Sequence, residues 1–336
     1  MFLTQPLSLR TFSIHNRLVL PPMATEKSVG EGEVSEGLCD YYREKTAGGY
    51  FGLVITEHSY INKEGQASVG QVSVSRDADI EGLKRLVEVI HASGSKVIAQ
   101  INHAGGKAIC ALDGSVTAPA PTGIPYTTTR GEAVEAHTMS QAEIDQVIAD
   151  FAAAARRVKA AGYDGVEIHS AHGYLLNQFY SPISNRREDS YTGKTIEGRT
   201  RLHCQVISAV REAVGPDFLV ALRLGACDYQ EGGSTQADAV AACKIFEAAG
   251  IDILDISGGL CGYRGDGSKI PGYFGNESQA IREAVSVPVI LTGGVRTGLA
   301  AETLLEEGKA DLIGVGRSVL KDSLWAKKAF AELGIE

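Results

Sequence analysis

The stretch Ser140–His169, SQAEIDQVIADFAAAARRVKAAGYDGVEIH, decides the fold because it contains a helix and the strand that follows it. Its first residues, Ser140–Glu143, have the pattern of a capping box, in which serine and glutamate satisfy the first free amides of a helix. The apolar spacing continues to Ala161, and Gly162 suits the left-handed turn after a helix. Val166–His169 is a short run typical of a strand buried on both faces. The stretch predicts one unit of a parallel sheet.

Runs of the same kind recur along the chain and are separated by amphipathic stretches such as Ile80–Ala92 and Thr235–Ala249. Eight strands, each followed by a helix, favour a closed (β/α)₈ TIM barrel, which needs roughly 250 residues. A doubly wound sheet is the alternative, although it rarely contains eight such regular units. The predicted strands are Arg17–Pro21, Leu53–Glu57, Val97–Ile101, Val166–His169, Leu219–Leu224, Ile253–Ser257, Val287–Leu291 and Leu312–Val315.

Three segments depart from this alternation. Leu7–Ile14 predicts a small N-terminal hairpin under the barrel. Asn102–Met139, rich in Pro, Gly and Thr, predicts a long excursion after the third strand, and Ser181–Gly198 is a second polar segment after the fourth. Long loops in a compact domain tend to be functional, and both leave from the same rim. We therefore expect them to cover a pocket together.

Composition narrows the classes of partner. The net charge of −9 disfavours nucleic acid, whose phosphates an acidic surface repels. The opening residues lack the apolar core of a signal peptide, and no apolar run reaches the ~18 residues of a membrane span. The six cysteines are scattered without a C-x-x-C pair, which predicts neither a metal site nor an iron–sulfur cluster. We expect a soluble, cytoplasmic protein.

Active sites of such barrels lie at the carboxyl ends of the strands. After the seventh and eighth strands the chain has Gly294 and Gly316-Arg317. Glycines let backbone amides approach phosphate oxygens, and a guanidinium pairs with them, so phosphate binding is one interpretation. Ordinary turn chemistry is the other, and the sequence leaves both open.

The segment Glu167–Tyr174, EIHSAHGY, is the most informative motif. His169 and His172 could direct two N–H donors at one substrate oxygen and stabilise negative charge that develops there. Tyr174 beside them could donate a proton, since an unperturbed phenol stays protonated at neutral pH. A metal site would need further ligands at suitable spacing. Structural histidines and a packing tyrosine are the plainer alternative.

With these motifs the chain resembles the Old Yellow Enzyme family of FMN-dependent ene-reductases over almost its whole length. The resemblance implies that residues 1–336 form a single FMN-binding (β/α)₈ barrel domain. The order and spacing of the matching stretches on successive strands make it specific. These stretches are Asn16–Met23 (NRLVLPPM), Gln100–Lys107 (QINHAGGK), Glu167–Tyr174, Ser181–Arg186 (SPISNR), Arg223–Tyr229 (RLGACDY) and Gly314–Arg317 (GVGR).

The resemblance implies a complete flavin site. Gln100 would hydrogen-bond the pyrimidine edge of the ring, and Arg223 would stabilise the anionic reduced flavin, because charge near N1 tunes a flavin. His58 stands where the family usually has a small residue. Ala24 replaces a Thr or Cys of the relatives, so we expect a shifted flavin potential. The implied cofactor-binding residues are Pro21, Pro22, Met23, Ala24, His58, Gln100, Arg223, Gly294, Gly316 and Arg317.

The resemblance also implies the reaction. NADH or NADPH would visit the flavin pocket and reduce FMN, and hydride would pass from N5 to the β-carbon of an α,β-unsaturated carbonyl or nitro compound. His169 and His172 would bind the activating oxygen, and Tyr174 would donate the proton. Glu26 stands where some relatives contact substrate, and its carboxylate would disfavour anionic substrates. Some relatives insert a C-terminal arginine into a neighbour's pocket. No arginine follows Arg317 here, so a homo-oligomer of that kind stays open.

Three other functions remain. One is an oxidative FMN barrel, such as an amine dehydrogenase or demethylase, although these often carry cluster-binding cysteines. Another is a flavin-free, phosphate-binding barrel enzyme such as an aldolase, which would want a catalytic lysine at a strand end. The third is a barrel that binds a ligand without catalysis.

Overall fold

The computed structural model describes residues 1–265 and 269–335. Within them, eight parallel strands form a closed barrel, each paired with the next in sequence and the last with the first. The predicted (β/α)₈ TIM barrel is confirmed. The strands are β1 (Leu18–Leu20), β2 (Leu53–Tyr60), β3 (Lys96–Asn102), β4 (Gly165–Ser170), β5 (Leu219–Cys227), β6 (Ile253–Gly258), β7 (Val289–Thr292) and β8 (Leu312–Gly314).

Helices surround this barrel, and one of them begins at the capping box that the sequence predicted at Ser140. Ser140 and Thr235 each accept a hydrogen bond from the third residue of the helix that follows, in capping boxes with Glu143 and Asp238. The helices are α1 (Glu36–Thr46), α2 (Ile80–His91), α3 (Gln141–Ala160), α4 (Leu175–Tyr180), α5 (Ile196–Val214), α6 (Gln236–Ala248), α7 (Gly275–Arg282), α8 (Gly298–Glu306), α9 (Arg317–Lys321) and α10 (Trp325–Glu332). No helix in residues 1–265 or 269–335 is both long and apolar enough to cross a membrane.

β2 is longer than the sequence predicted. It continues three residues beyond Glu57 to Tyr60, and its pairing with β3 shifts register between Thr56 and Ser59. Such a bulge adds one residue to a strand and redirects its side chains locally. His58 therefore lies inside the strand, at the bulge, and not after the strand end.

The predicted N-terminal hairpin is present and closes one end of the barrel. Leu7–Ser8 pairs antiparallel with Ser13–Ile14. Leu9 and Ile14 are buried in one cluster with strand residues such as Val19 and Ile55. The apolar side chains of this hairpin fill one end of the barrel. The other end is therefore the one that is open to a ligand site.

The predicted excursion after β3 has structure of its own. Ala118–Ala120 pairs parallel with Ala136–Thr138, and Tyr126–Thr127 pairs antiparallel with Ala133–Val134. The second polar segment, residues 181–198, packs against this excursion: Arg187 donates to the carbonyl of Met139 at 2.7 Å. The two segments support each other at the rim where β3 and β4 end.

Candidate active site

A cavity of about 1360 Å³ lies at the carboxyl ends of the strands. It exceeds the ~300–1000 Å³ of typical ligand sites, so it has room for a tricyclic ring and a second molecule. Every site residue that the sequence predicted lines its wall. These are Pro21, Pro22, Met23, Ala24, Glu26, His58, Gln100, His169, His172, Tyr174, Arg223, Gly294, Gly316 and Arg317.

The two histidines and the tyrosine of the motif after β4 converge on one point of this wall. The rings of His169 and His172 lie 5.1 Å apart and those of His169 and Tyr174 5.2 Å apart, both nearly perpendicular. His172 has a φ of 61°, in the left-handed region that side chains rarely adopt. Its N–H donates to Gly258, and its carbonyl accepts from the Lys107 ammonium at 2.9 Å. Strain of this kind is typical of functional sites.

Both imidazoles are neutral at physiological pH. Burial lowers the pKa of His169 and of His172 well below the ordinary value, and the Arg223 charge lowers both further. A neutral imidazole has one N–H donor and one acceptor nitrogen. Nε2 of His172 lies 2.8 Å from the Ser257 hydroxyl. Nδ1 of His169 is buried without a hydrogen-bond partner in the described part of the chain. The pair therefore has donor capacity for a ligand oxygen.

Tyr174 presents a protonated hydroxyl to the same point. The side chain is 5% exposed, and burial raises the pKa of its phenol above the ordinary value of 10. The hydroxyl oxygen lies 3.1 Å from Nε2 of His58. The Lys107 ammonium lies 6.0 Å from the centre of the tyrosine ring. The phenol thus stays protonated and is held at a fixed place.

Buried polar side chains from four neighbouring strands underlie the cavity. Nε2 of Gln100 donates to Glu167 at 2.6 Å, and Nε of Arg223 lies 3.1 Å from the Asp255 carboxylate. All four are at least 95% buried. Asp255 holds the guanidinium in place, so a fixed positive charge borders the cavity beside a fixed amide.

A glycine-lined corner of the cavity lies next to Arg317. A Cβ on Gly294 would come within 2.8 Å of the Tyr273 ring, and one on Gly316 within 2.5 Å of the Met23 sulfur. Gly294 also has a φ of 69°. The guanidinium of Arg317 donates to the Tyr273 hydroxyl at 2.8 Å. A side chain at Gly294 would be strained by the positive φ, and a Cβ at either position would displace a neighbouring side chain. Glycine leaves the backbone accessible, as phosphate binding requires.

The cavity wall is strongly basic although the chain is acidic. Among the described residues of the wall, Glu26 is the acidic one, and its carboxylate lies 2.7 Å from the guanidinium of Arg130. Glu26 would repel anionic substrates only if its carboxylate were unpaired. The ion pair with Arg130 removes that condition. A positive cleft concentrates anionic ligands such as phosphates. The basic wall residues are Lys107, Arg130, Arg223, Arg264, Lys269, Arg296, Arg317 and Lys321.

The expectation that residues 181–198 cover the pocket is wrong. The described wall takes Lys107, Thr128, Thr129 and Arg130 from the excursion after β3 and nothing from residues 181–198. The polar side chains of that segment instead bind neighbouring backbone: Asn185 donates to the carbonyls of Phe179 and Tyr191, both at 2.8 Å. Its role is to support α4 and the excursion.

Sequence reasoning assigned no role to Lys107, Ser257 or Tyr273. Ser257 is the next-to-last residue of β6, so its position near a strand end was a signal. Lys107 lies beyond the end of β3, and its signal was its place as the last residue of the QINHAGGK stretch. Tyr273 gave no such signal, because it lies outside the strands, shortly before α7. Its contact with Arg317 joins residues 44 apart in the chain.

The comparisons with known proteins agree with this geometry. The sequence profile of the NADH:flavin oxidoreductase / NADH oxidase family matches residues 2–335. The chain belongs to this family. The resemblance to the Old Yellow Enzyme family is thereby confirmed, and FMN is confirmed as the cofactor. The flavin-free alternatives are set aside.

Two curated relatives show how the chain compares in length. It is 37% identical to an NADPH dehydrogenase of Bacillus licheniformis and covers 94% of that protein. It is 36% identical to a metal reductase of Desulforamulus reducens but spans only 48% of that protein's length. In both cases the match includes 98% of this chain. The chain therefore corresponds to nearly all of one relative and to about half of the other.

Solved structures show the same architecture. An Old Yellow Enzyme homologue from Zymomonas mobilis has a TM-score of 0.84 at 25% identity, covering 99% of this chain and 94% of that one. Morphinone reductase in complex with tetrahydroNAD has a TM-score of 0.81 at 26% identity, covering 99% and 91%. A 2-naphthoyl-CoA reductase complex has a TM-score of 0.91 at 26% identity, covering 99% and 52%.

Glu57 is a buried carboxyl that contacts Thr25, the residue after the predicted cofactor-binding residues Pro21–Ala24. We expect Glu57 to lower the stability of the fold as the pH rises. It accepts from the Thr25 hydroxyl at 2.7 Å, and burial raises its pKa from 4.5 to about 7. Because the pKa of Glu57 is higher in the folded state than in the unfolded state, a protonated Glu57 carboxyl favours the folded state. The stabilisation is therefore complete below pH 4.5 and lost as the pH rises through 7.

This shift corresponds to about 3 kcal/mol at most. In Glu57→Gln, the urea midpoint of unfolding should change less between pH 5 and pH 8 than in the wild-type protein. The matched control is Glu36→Gln, which replaces an exposed carboxylate and should keep the wild-type dependence. Equal pH dependence in all three proteins would contradict the prediction.

Proposed function

We propose that residues 1–336 act as one FMN-binding barrel domain and that the enzyme is an ene-reductase. It would use NADH or NADPH to reduce the C=C bond of an α,β-unsaturated carbonyl or nitro compound. When bound, FMN supplies hydride transfer between the nicotinamide and the alkene. The observation that carries the proposal is the convergence of His169, His172 and Tyr174 on one wall of the large cavity.

The two imidazoles bind the activating oxygen of the substrate. Because both are neutral and buried, their N–H groups act in a site of low dielectric constant, where a hydrogen bond to developing charge is strong. Ser257 fixes one ring through Nε2 of His172. The backbone contacts of His172 help to keep this same ring nearly perpendicular to that of His169. The oxygen thus becomes negatively charged next to donors that do not need to move.

Tyr174 supplies the proton to the α-carbon. Its hydroxyl stays protonated because burial raises the pKa of the phenol. A positioned general acid contributes typically 10²–10⁴-fold to a rate. Its ring touches the ring of His169, so an oxygen bound at the histidines places the adjacent carbon atoms near the hydroxyl.

The remaining wall residues fit FMN. Gln100 and Arg223 would contact the polar edge of the ring system, where the fixed guanidinium favours the anionic reduced form. Pro21, Pro22, Met23, Ala24 and His58 would border the ring. Gly294, Gly316 and Arg317 would hold the phosphate, and the close contacts made by a Cβ at either glycine support this assignment.

The test is an anaerobic titration of the purified yellow protein with NADH and, separately, NADPH. Bleaching of the flavin band by either is expected, followed by its return on addition of cyclohexenone or a nitroalkene with formation of the saturated product. Bleaching of the oxidised flavin band by an added amine, with no return of the band when an alkene is added to the nicotinamide-reduced enzyme, would overturn the proposal in favour of the oxidative alternative.

A further inference from the structure

His58 makes a contact that the proposed reaction does not yet use. Nε2 of His58 lies 3.1 Å from the hydroxyl oxygen of Tyr174, and the two rings are 5.5 Å apart. The two residues are 116 positions apart in the chain. The bulge in β2 between Thr56 and Ser59 directs the His58 side chain into the cavity. The barrel wall thus sets the position of His58, and the start of α4 sets that of Tyr174.

The geometry points to His58 as a positioning residue that donates its Nε2–H to Tyr174 and makes the phenol a stronger acid. This inference rests on the proposed function, in which Tyr174 gives a proton to the substrate. A phenol can do so only if its own hydrogen points at the substrate and not at the imidazole. The Tyr174 oxygen must then accept from His58.

The surroundings of His58 favour the same tautomer. Burial, with a smaller effect of the Arg223 charge, lowers the pKa of His58 to about 4, so the ring is neutral with a single N–H. The backbone of His58 itself and, more weakly, Glu26 act in the opposite direction. Nδ1 is buried and has no hydrogen-bond partner among the residues described. A hydrogen on Nδ1 would be an unpaired buried donor, which is costly, whereas a hydrogen on Nε2 is paired.

The proton transfer is balanced without a further reactant. The O–H bond of Tyr174 breaks, a C–H bond forms at the α-carbon of the substrate enolate, and the O–H electron pair stays on the phenolate oxygen. Water returns the proton to the phenolate before the next turnover. Burial alone makes this phenolate unfavourable. The His58 N–H and the Lys107 ammonium, 6.0 Å from the ring, face Tyr174 and offset this cost. Within residues 1–265 and 269–335, His58 alone makes a hydrogen bond to the phenol oxygen.

The experiment measures the acidity of residue 174 directly. Tyr174 is replaced by 3-fluorotyrosine at that position alone in the FMN-bound enzyme, and the ¹⁹F signal is titrated with pH. His58→Leu should raise the titration midpoint by more than about one pH unit, equivalent to a tenfold change in acidity. His58→Gln, which retains an amide N–H, should restore at least half of the shift.

A second readout separates proton transfer from electron transfer. His58→Leu should slow reduction of cyclohexenone by about tenfold or more. It should slow reoxidation by ferricyanide far less than alkene reduction, because that acceptor needs no proton on carbon. An unchanged midpoint in both variants, or a lower midpoint in His58→Leu, would overturn the inference while leaving the proposed function intact. If wild-type enzyme reduced no alkene, the proposed function would fail instead, and the midpoints would still report on the hydrogen bond.

Discussion

Tyr174→Phe should slow alkene reduction by about 10²–10⁴-fold, the usual contribution of a positioned general acid. The substitution removes one oxygen atom and leaves the ring in place against His169. Binding of FMN and its reduction by NADPH should stay within twofold of wild type, since neither requires the hydroxyl. Stopped-flow measurement of the two half-reactions, each followed at the flavin band, separates these effects.

Tyr180→Phe is the matched control for this variant. Tyr180 is a fully buried tyrosine at the end of α4, outside the cavity wall, and its hydroxyl has no hydrogen-bond partner within the described residues. Its loss should leave both half-reactions unchanged. Similar rates of alkene reduction in Tyr174→Phe and Tyr180→Phe would show that the proton comes from elsewhere.

His169→Ala should slow alkene reduction by about 10²–10³-fold, as expected for loss of one donor to a developing oxyanion. The effect should fall mainly on kcat, because the hydrogen bond strengthens as charge develops on the substrate oxygen. FMN affinity should change much less. Steady-state kinetics with cyclohexenone and a fluorescence titration with FMN measure the two quantities.

His203→Ala controls for the loss of a buried imidazole. His203 is fully buried on α5, bonded to the Ser170 hydroxyl at 2.7 Å and outside the cavity. It should lower stability without a selective effect on alkene reduction. Equal, small effects of His169→Ala on catalysis and on FMN binding would refute the assignment of His169.

Local signals in the sequence were sufficient for the architecture. The capping boxes at Ser140 and Thr235 act within four residues, so the starts of α3 and α6 could be predicted without knowing the fold. The continuous apolar runs likewise report burial on both faces, which only helices around a parallel sheet provide. Because strand ends in a barrel share one rim, placing the strands also placed most of the site.

What the sequence could not predict depends on partners distant in the chain. The bulge that positions His58 arises from the register of β2 against β3, and no residue of β2 alone specifies it. The sequence could not show that the Glu26 carboxylate pairs with Arg130, because the two residues are 104 positions apart. Residues 181–198 looked like a cover because they are polar, but their polar groups bind the backbone of neighbouring segments.

The hairpin that seals the barrel with Leu9 and Ile14 has a kinetic consequence. Because that end is filled, the nicotinamide and the oxidant must both enter and leave through the same mouth of the cavity. The two reactants therefore cannot be bound at the same time. Double-reciprocal plots at several fixed nicotinamide concentrations should then be parallel. Excess of either reactant should inhibit the other competitively.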